Sequence, residues 1–163
     1  IIEKFEKNIT FEEDEVCKYN PYVHKLKNKV IKWLDSRVKK WPPILEPLNT
    51  DKKKHLHSVE MCRGTSSYTL DKEKIYLCVK DHNDDYYDEN TIMHVLLHEF
   101  AHALCDEIGH TKKFDQIFEC LMDEAHESTC DIQKKTCGRL YDKTVPFPND
   151  YCGLKKTDTY EVI

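Results

Sequence analysis

Ile92-Met93-His94-Val95-Leu96-Leu97-His98-Glu99-Phe100-Ala101-His102-Ala103-Leu104 is the stretch from which the rest of the chain is read. Apolar residues fall on every side of a 3.6-residue period, which describes a helix buried nearly all round. His98 and His102 are four positions apart, so on a helix they project about 40° from one another and can share one ion. Glu99 lies about 100° round from His98, beside such an ion without ligating it. Ionisable groups inside a buried helix need partners, and a divalent metal would supply them. With 9 His in 163 residues, random order produces H-E-x-x-H roughly 0.04 times per chain. Zinc held by three protein ligands keeps a fourth position for water and lowers its pKa to about 7, and Glu99 is then the base that removes its proton.

His94 extends the series to i, i+4 and i+8. The outer pair would be about 12 Å apart along the axis, too far for one ion. His94 is followed by Val95 and not by an acid, so it reads as a structural or supporting histidine. Two residues compete for the third ligand position. His110 follows Gly109, where a left-handed cap can end the helix and swing the imidazole back. Glu124 belongs to the next predicted helix, capped by Thr111, whose buried stripe is Phe114, Ile117, Phe118, Leu121, Met122 and Ala125. Glu124 lies on the flank of that stripe, and the spacing favours His110.

His98-Glu99-Phe100-Ala101-His102 followed by Gly109-His110-Thr111-Lys112-Lys113-Phe114 resembles the minimal zincin metallopeptidases of the WLM and SprT-like groups, which pair H-E-x-x-H with a later G-H-x-x-x-F. The resemblance covers roughly residues 68–125. It implies an α+β, zincin-like domain with a small mixed or antiparallel sheet packed on an N-terminal helix and the H-E-x-x-H helix. A further helix and an irregular, cysteine-containing tail follow. It implies a zinc-dependent endopeptidase with Zn2+ on His98, His102 and His110, Glu99 as general base, and a protein or peptide as substrate. It carries over no DNA-binding segment. In zincins the edge strand before the active-site helix holds the substrate as an added strand. Ile75 to Val79 occupies that place, which makes Tyr76, Leu77 and Cys78 the substrate-binding residues expected here. A non-catalytic zincin-fold assembly component, for instance in a virus particle, is the competing class.

Working outward, 163 residues suffice for one domain with a real core. The expected divisions are an N-terminal segment over 1–20, flexible or at a sheet edge, a zincin-like domain over 21–128 and an irregular extension packed on it over 129–163. A net charge of -5 offers no general attraction for phosphate backbones, so direct nucleic-acid binding is not expected. No run is long enough to cross a membrane and nothing near Ile1 reads as a signal peptide, although the absence of an initial methionine leaves room for an upstream segment. An intracellular or virion-associated protein is expected, with secretion left open by eight cysteines.

Upstream of the motif, Glu12-Glu13-Asp14-Glu15 reads as a solvated acidic run. Val23, Leu26, Val30, Trp33, Leu34, Val38 and Trp41 recur at helical spacing until Pro42-Pro43 stops them. Residues 44–57 read as a loop, with the basic cluster Lys52-Lys53-Lys54-His55-Leu56-His57 as solvated surface. Strands are predicted over 58–63, 67–70 and 75–79, with 71–74 as a turn. The acidic loop from His82 to Asp88 precedes a helix start near Asn90-Thr91.

Downstream, Tyr141 and Tyr151 are aromatics that either pack or reach the site as oxyanion donors, and packing is the simpler account. Cys105 falls on the ligand face, where a thiol competes for zinc or merely fills the core. No C-x-x-C occurs, so a zinc ribbon is not expected. Reduced and partly bridged states both stay open, and residues 120–152 hold the crowded cysteines where disulfides are expected.

Overall fold

Asn20 and Pro21 start the first helix in the computed structural model, which describes residues 2–4, 17–37, 50–127, 129–131 and 136–155. The Asn20 side chain accepts from the amides of Tyr22 and Val23 at 2.9 and 3.1 Å, and proline suits the first helical position because its missing N–H has no intrahelical partner there. Helix α1 (Pro21–Arg37) buries Val23, Leu26, Val30 and Leu34 as the periodicity predicts. Residues 38–49, with Trp41 and the Pro42-Pro43 stop, and the acidic run 12–15 lie outside the described residues.

Helix α2 (Thr50–Ser58) replaces much of the expected loop. Leu56 is the reason: one fully buried side chain anchors about two and a half polar turns to the core, too little apolar repetition for a sequence pattern to register. On a helix His55 and His57 diverge by about 200°. His55 Nε2 lies 2.6 Å from the Lys72 carbonyl, and His57 Nε2 lies 3.5 Å from Asp35 on the other side.

The main sheet contains β1 (Ile2–Lys4), β2 (Glu60–Arg63), β3 (Tyr68–Leu70) and β4 (Lys74–Leu77) in the order β1-β3-β4-β2. β2 and β4 run parallel, and the other pairs run antiparallel. The β3–β4 hairpin turns on Asp71 and Lys72, both in the left-handed region at φ 51° and 57°. β4 is therefore an interior strand, hydrogen-bonded to β3 on one side and β2 on the other. This corrects the expectation that residues 75–79 form the edge. Adjacency in sequence to the helix suggested an edge, but β2 pairs with β4 from beyond the hairpin and closes that side. β1 occupies the opposite edge, beside β3.

Helix α3 (Glu89–Leu104) is capped by Asp88, whose carboxylate accepts from Asn90 N–H at 2.8 Å. Every residue from Thr91 to Leu104 is buried. The helix ends at Cys105, which turns into extended backbone at φ -81° and ψ 133°, four residues before the expected break at Gly109. Gly109 is nevertheless left-handed at φ 84°. It reverses the connecting loop instead of the helix. Helix α4 (Lys112–His126) is capped by Thr111, whose hydroxyl accepts from Phe114 N–H at 3.3 Å, and it packs on α3 through Phe114, Ile117, Phe118, Leu121 and Ala125.

Beyond α4, short hairpins β5 (Thr129–Asp131)–β6 (Thr136–Gly138) and β7 (Asp150–Tyr151)–β8 (Leu154–Lys155) give part of the expected irregular tail a pairing pattern. Asn90 clamps the tail by exchanging two hydrogen bonds with the Asp142 backbone at 2.8 and 3.0 Å. The described chain is thus α+β, with four helices and a small mixed sheet. No described helix is long and apolar enough to cross a membrane.

Candidate metal centre

His98, Glu99 and His102 are fully buried on α3, and His110 reaches them from the loop that Gly109 reverses. One donor atom from each of the three histidines lies within 4.8 Å of the other two. His98 Nε2 and His110 Nε2 are 3.2 Å apart. Two nitrogens on a tetrahedral zinc, each at 2.0–2.1 Å, would be separated by about 3.3 Å, so this spacing suits a common ion. The donor set also fits: imidazole is a preferred zinc ligand, and three of them leave one position of a tetrahedron open. Glu124 is not among the converging donors, and neither is the buried, free Cys105.

Phe114 holds the cluster from the side of α4. Its ring stacks on His102 with centroids 4.1 Å apart and planes at 17°, and meets His98 and His110 at 4.9 and 5.1 Å. Phe118 adds a second edge contact to His98 at 5.1 Å. The Thr111 cap and the buried stripe therefore fix the imidazoles indirectly.

Thr69 and Lys72, which sequence reasoning missed, come from the β3–β4 hairpin. The Thr69 hydroxyl lies 3.4 Å from both Glu99 Oε1 and the Glu99 carbonyl oxygen, so it can donate to either. Lys72 Nζ donates to the His102 and Glu107 carbonyls at 2.6 and 3.1 Å, placing a positive charge at the C-terminal end of α3, where the helix dipole favours one. Alternation along β3 sets Thr69 opposite Tyr68 and Leu70, on the face that by pattern reads as polar, so it gave no signal. Nothing local in the sequence marks Lys72.

The substrate residues expected on β4 do not line a cleft at the histidine cluster; Cys78 borders a cleft with Arg63, Lys80 and His82 that none of the three histidines lines. Tyr76 is buried and stacked on Tyr68 at 4.6 Å, Leu77 is fully buried, and Cys78 is disulfide-bonded to Cys152. They are core residues because β4 is interior. His94 stands apart from the cluster, with Nδ1 3.0 Å from the Tyr141 hydroxyl and its ring between Phe118 and Phe147. Burial pushes its pKa down to about 4 and that of Tyr141 up to about 12. Tyr141 thus packs on His94. Tyr151 closes a ring of hydrogen bonds around Cys78: it donates to the Cys78 carbonyl, and Ser67 links it to the Cys78 amide.

Among the described side chains the disulfides are Cys17–Cys62 and Cys78–Cys152. Of the cysteines expected to bridge within 120–152, Cys152 pairs outside the stretch and Cys120 is free, while the side chains of Cys130 and Cys137 lie outside the described residues. The two bridges are long-range because the sheet brings residue 17 to β2 and residue 152 to the end of β4. Cys17, Glu60 and Cys62 also cluster, but oxidation of both thiols removes them as metal ligands.

The chain is similar to proteins of large viruses. It is 41% identical over 117 residues to "Uncharacterized protein 136R" of Invertebrate iridescent virus 6, covering 70% of this chain and 59% of that protein. It is 40% identical over 111 residues to "Uncharacterized protein 042R" of Invertebrate iridescent virus 3, covering 68% and 62%. With "Uncharacterized protein R325" of Acanthamoeba polyphaga mimivirus it shares 35% identity over 120 residues, covering 70% and 55%. The chain spans about three-fifths of the length of these relatives. No family model matches it, and neither does any solved structure.

Proposed function

We propose that the chain is a zinc-dependent endopeptidase of the minimal zincin type, resembling the WLM and SprT-like groups, that hydrolyses peptide bonds in protein substrates. The observation that carries this reading is the convergence of His98, His102 and His110 beside the buried carboxylate of Glu99. The three imidazoles would hold the ion. When bound, zinc lowers the pKa of water to about 7 and polarises a carbonyl. Glu99 accepts the proton of the attacking water on its carboxylate and then passes it to the departing amine, acting as general base and then general acid. Thr69 fixes the carboxylate through Oε1, and Phe114 excludes water from one side of the imidazoles. The test is turnover of an unfolded protein by zinc-loaded wild type and Glu99→Gln. The variant should bind zinc normally yet cleave at least about 100-fold more slowly, as expected for loss of a general base. Near wild-type turnover would remove Glu99 from this role.

A second reading, a zincin-fold component of a virus particle without turnover, is favoured by the viral relatives together with two disulfides. Such bonds persist outside reducing compartments, including on virion surfaces. The two disulfides suit a virion or extracellular setting better than a reduced cytosol. Absence of cleavage by zinc-loaded wild type would select the second.

A further inference from the structure

Among the described residues β1 is the edge strand of the main sheet on the side of β3. Ile2, Glu3 and Lys4 pair antiparallel with Leu70, Thr69 and Tyr68. Thr69, the partner of Glu3, is also the residue whose hydroxyl lies 3.4 Å from Glu99 Oε1. Cα atoms of β1 come within 8 Å of α3. An extended segment of this chain's own backbone therefore runs alongside the proposed base, held by strand pairing. Strand addition recognises main chain and tolerates many sequences, which suits an unfolded polypeptide as the partner. The other edge of the sheet belongs to β2, on the far side of β4 from β3.

We propose that Ile2–Lys4 is an internal occupant of the edge on which an extended polypeptide docks, so that a substrate strand must displace β1 before Glu99 can act on it. The inference rests on the peptidase reading for the cleavage that comes after docking, but displacement of β1 is measurable without cleavage. Occupancy in cis lowers apparent affinity by the fraction of molecules whose edge is free. A β1 in place nine-tenths of the time would weaken binding about tenfold.

The test uses the full chain carrying Glu99→Gln, with fluorescein-labelled, reduced and carboxymethylated α-lactalbumin as the unfolded probe. In one arm, Glu3→Pro and Lys4→Pro are introduced together. Successive amides of an edge strand point to opposite sides, so one of the two prolines removes an N–H directed at β3 whatever the pairing phase. The probe should bind about tenfold tighter by fluorescence anisotropy. The amides within Tyr68–Leu70 that point at β1 should lose hydrogen-exchange protection while those pointing at β4 and those of α3 keep theirs. Unchanged affinity with the β1-facing amides exposed overturns the proposal, and so does unchanged protection of those amides, because β1 would then not be what holds the edge. In the second arm, which needs no change in β1, saturating probe should strip protection from Ile2–Lys4 while Tyr68–Leu70 stay protected. Persistent protection of Ile2–Lys4 overturns the proposal even if the proline variant fails to fold. If β1 is displaced but zinc-loaded chain with Glu99 intact does not cleave, the peptidase reading fails and the docking edge stands. If cleavage occurs while β1 stays in place, the reverse holds.

Discussion

Phe114→Leu should separate the role of the aromatic ring at the metal centre from its role as core filler. Phe114 is fully buried and touches all three imidazoles, stacking on His102 at 4.1 Å. Truncation of a buried Phe to Ala costs about 3–5 kcal/mol, and leucine restores much of the volume, so packing loss in the leucine variant should be about 1 kcal/mol. Loss of the stacked ring pair adds about 1 kcal/mol. The metal-free variant should therefore be about 2 kcal/mol less stable, read from urea unfolding in excess chelator. Groups that orient metal ligands typically contribute 10- to 100-fold in affinity, so zinc binding measured by competition with a chromophoric chelator should weaken by about 30-fold. A variant that loses about 2 kcal/mol but binds zinc as wild type does would refute the reasoning. Phe114 would then be ordinary core, and His110 would be held by its own loop.

The pH dependence of stability should carry a signature of His94. Burial lowers its folded pKa to about 4 from the ordinary 6.5, so between those values the unfolded chain binds a proton that the folded chain refuses. Stability contributed this way is present above pH 6.5 and is lost as the pH falls towards 4, by up to about 3 kcal/mol. Metal-free His94→Asn should show a flatter unfolding profile across that window, and parallel profiles would contradict the assignment. Alkylation under denaturing, non-reducing conditions followed by peptide mapping should label Cys105 and Cys120 and spare Cys17, Cys62, Cys78 and Cys152 until a reductant is added. With sequence separations of 45 and 74, each bridge constrains the unfolded chain by about 4 kcal/mol, so reduction should lower the unfolding midpoint sharply. Labelling of Cys78 without reductant would contradict the second bridge.

The helices bearing the site were legible because their signals are local. Thr111 as a cap, Gly109 in the left-handed region and the stripe from Phe114 to Ala125 each follow from residue chemistry at fixed offsets; the structure bears out the cap, the left-handed glycine and the stripe apart from the half-buried Met122, while the H-E-x-x-H helix itself ends earlier, at Cys105. The convergence of His110 on His98 and His102 follows from the same features. What failed was non-local. The sheet order depends on β2 reaching past the hairpin to pair with β4, so the strand chosen as the edge, with Tyr76, Leu77 and Cys78, lies inside. Disulfide partners 45 and 74 residues apart depend on the same topology. Helix α2 was missed for an energetic reason: a single buried Leu56 secures it, and one residue defines no period. Thr69 and Lys72 act across the hairpin on α3, and only the assembled fold brings them there.

Zinc content after equilibrium dialysis, followed by metal analysis of wild type and single variants, tests the central claim most directly. The account predicts one zinc per wild-type chain, retained by Glu99→Gln and Glu124→Gln and lost by His98→Ala, His102→Ala and His110→Ala. A wild-type chain that binds no zinc would contradict it, and so would a His110→Ala chain that keeps stoichiometric metal.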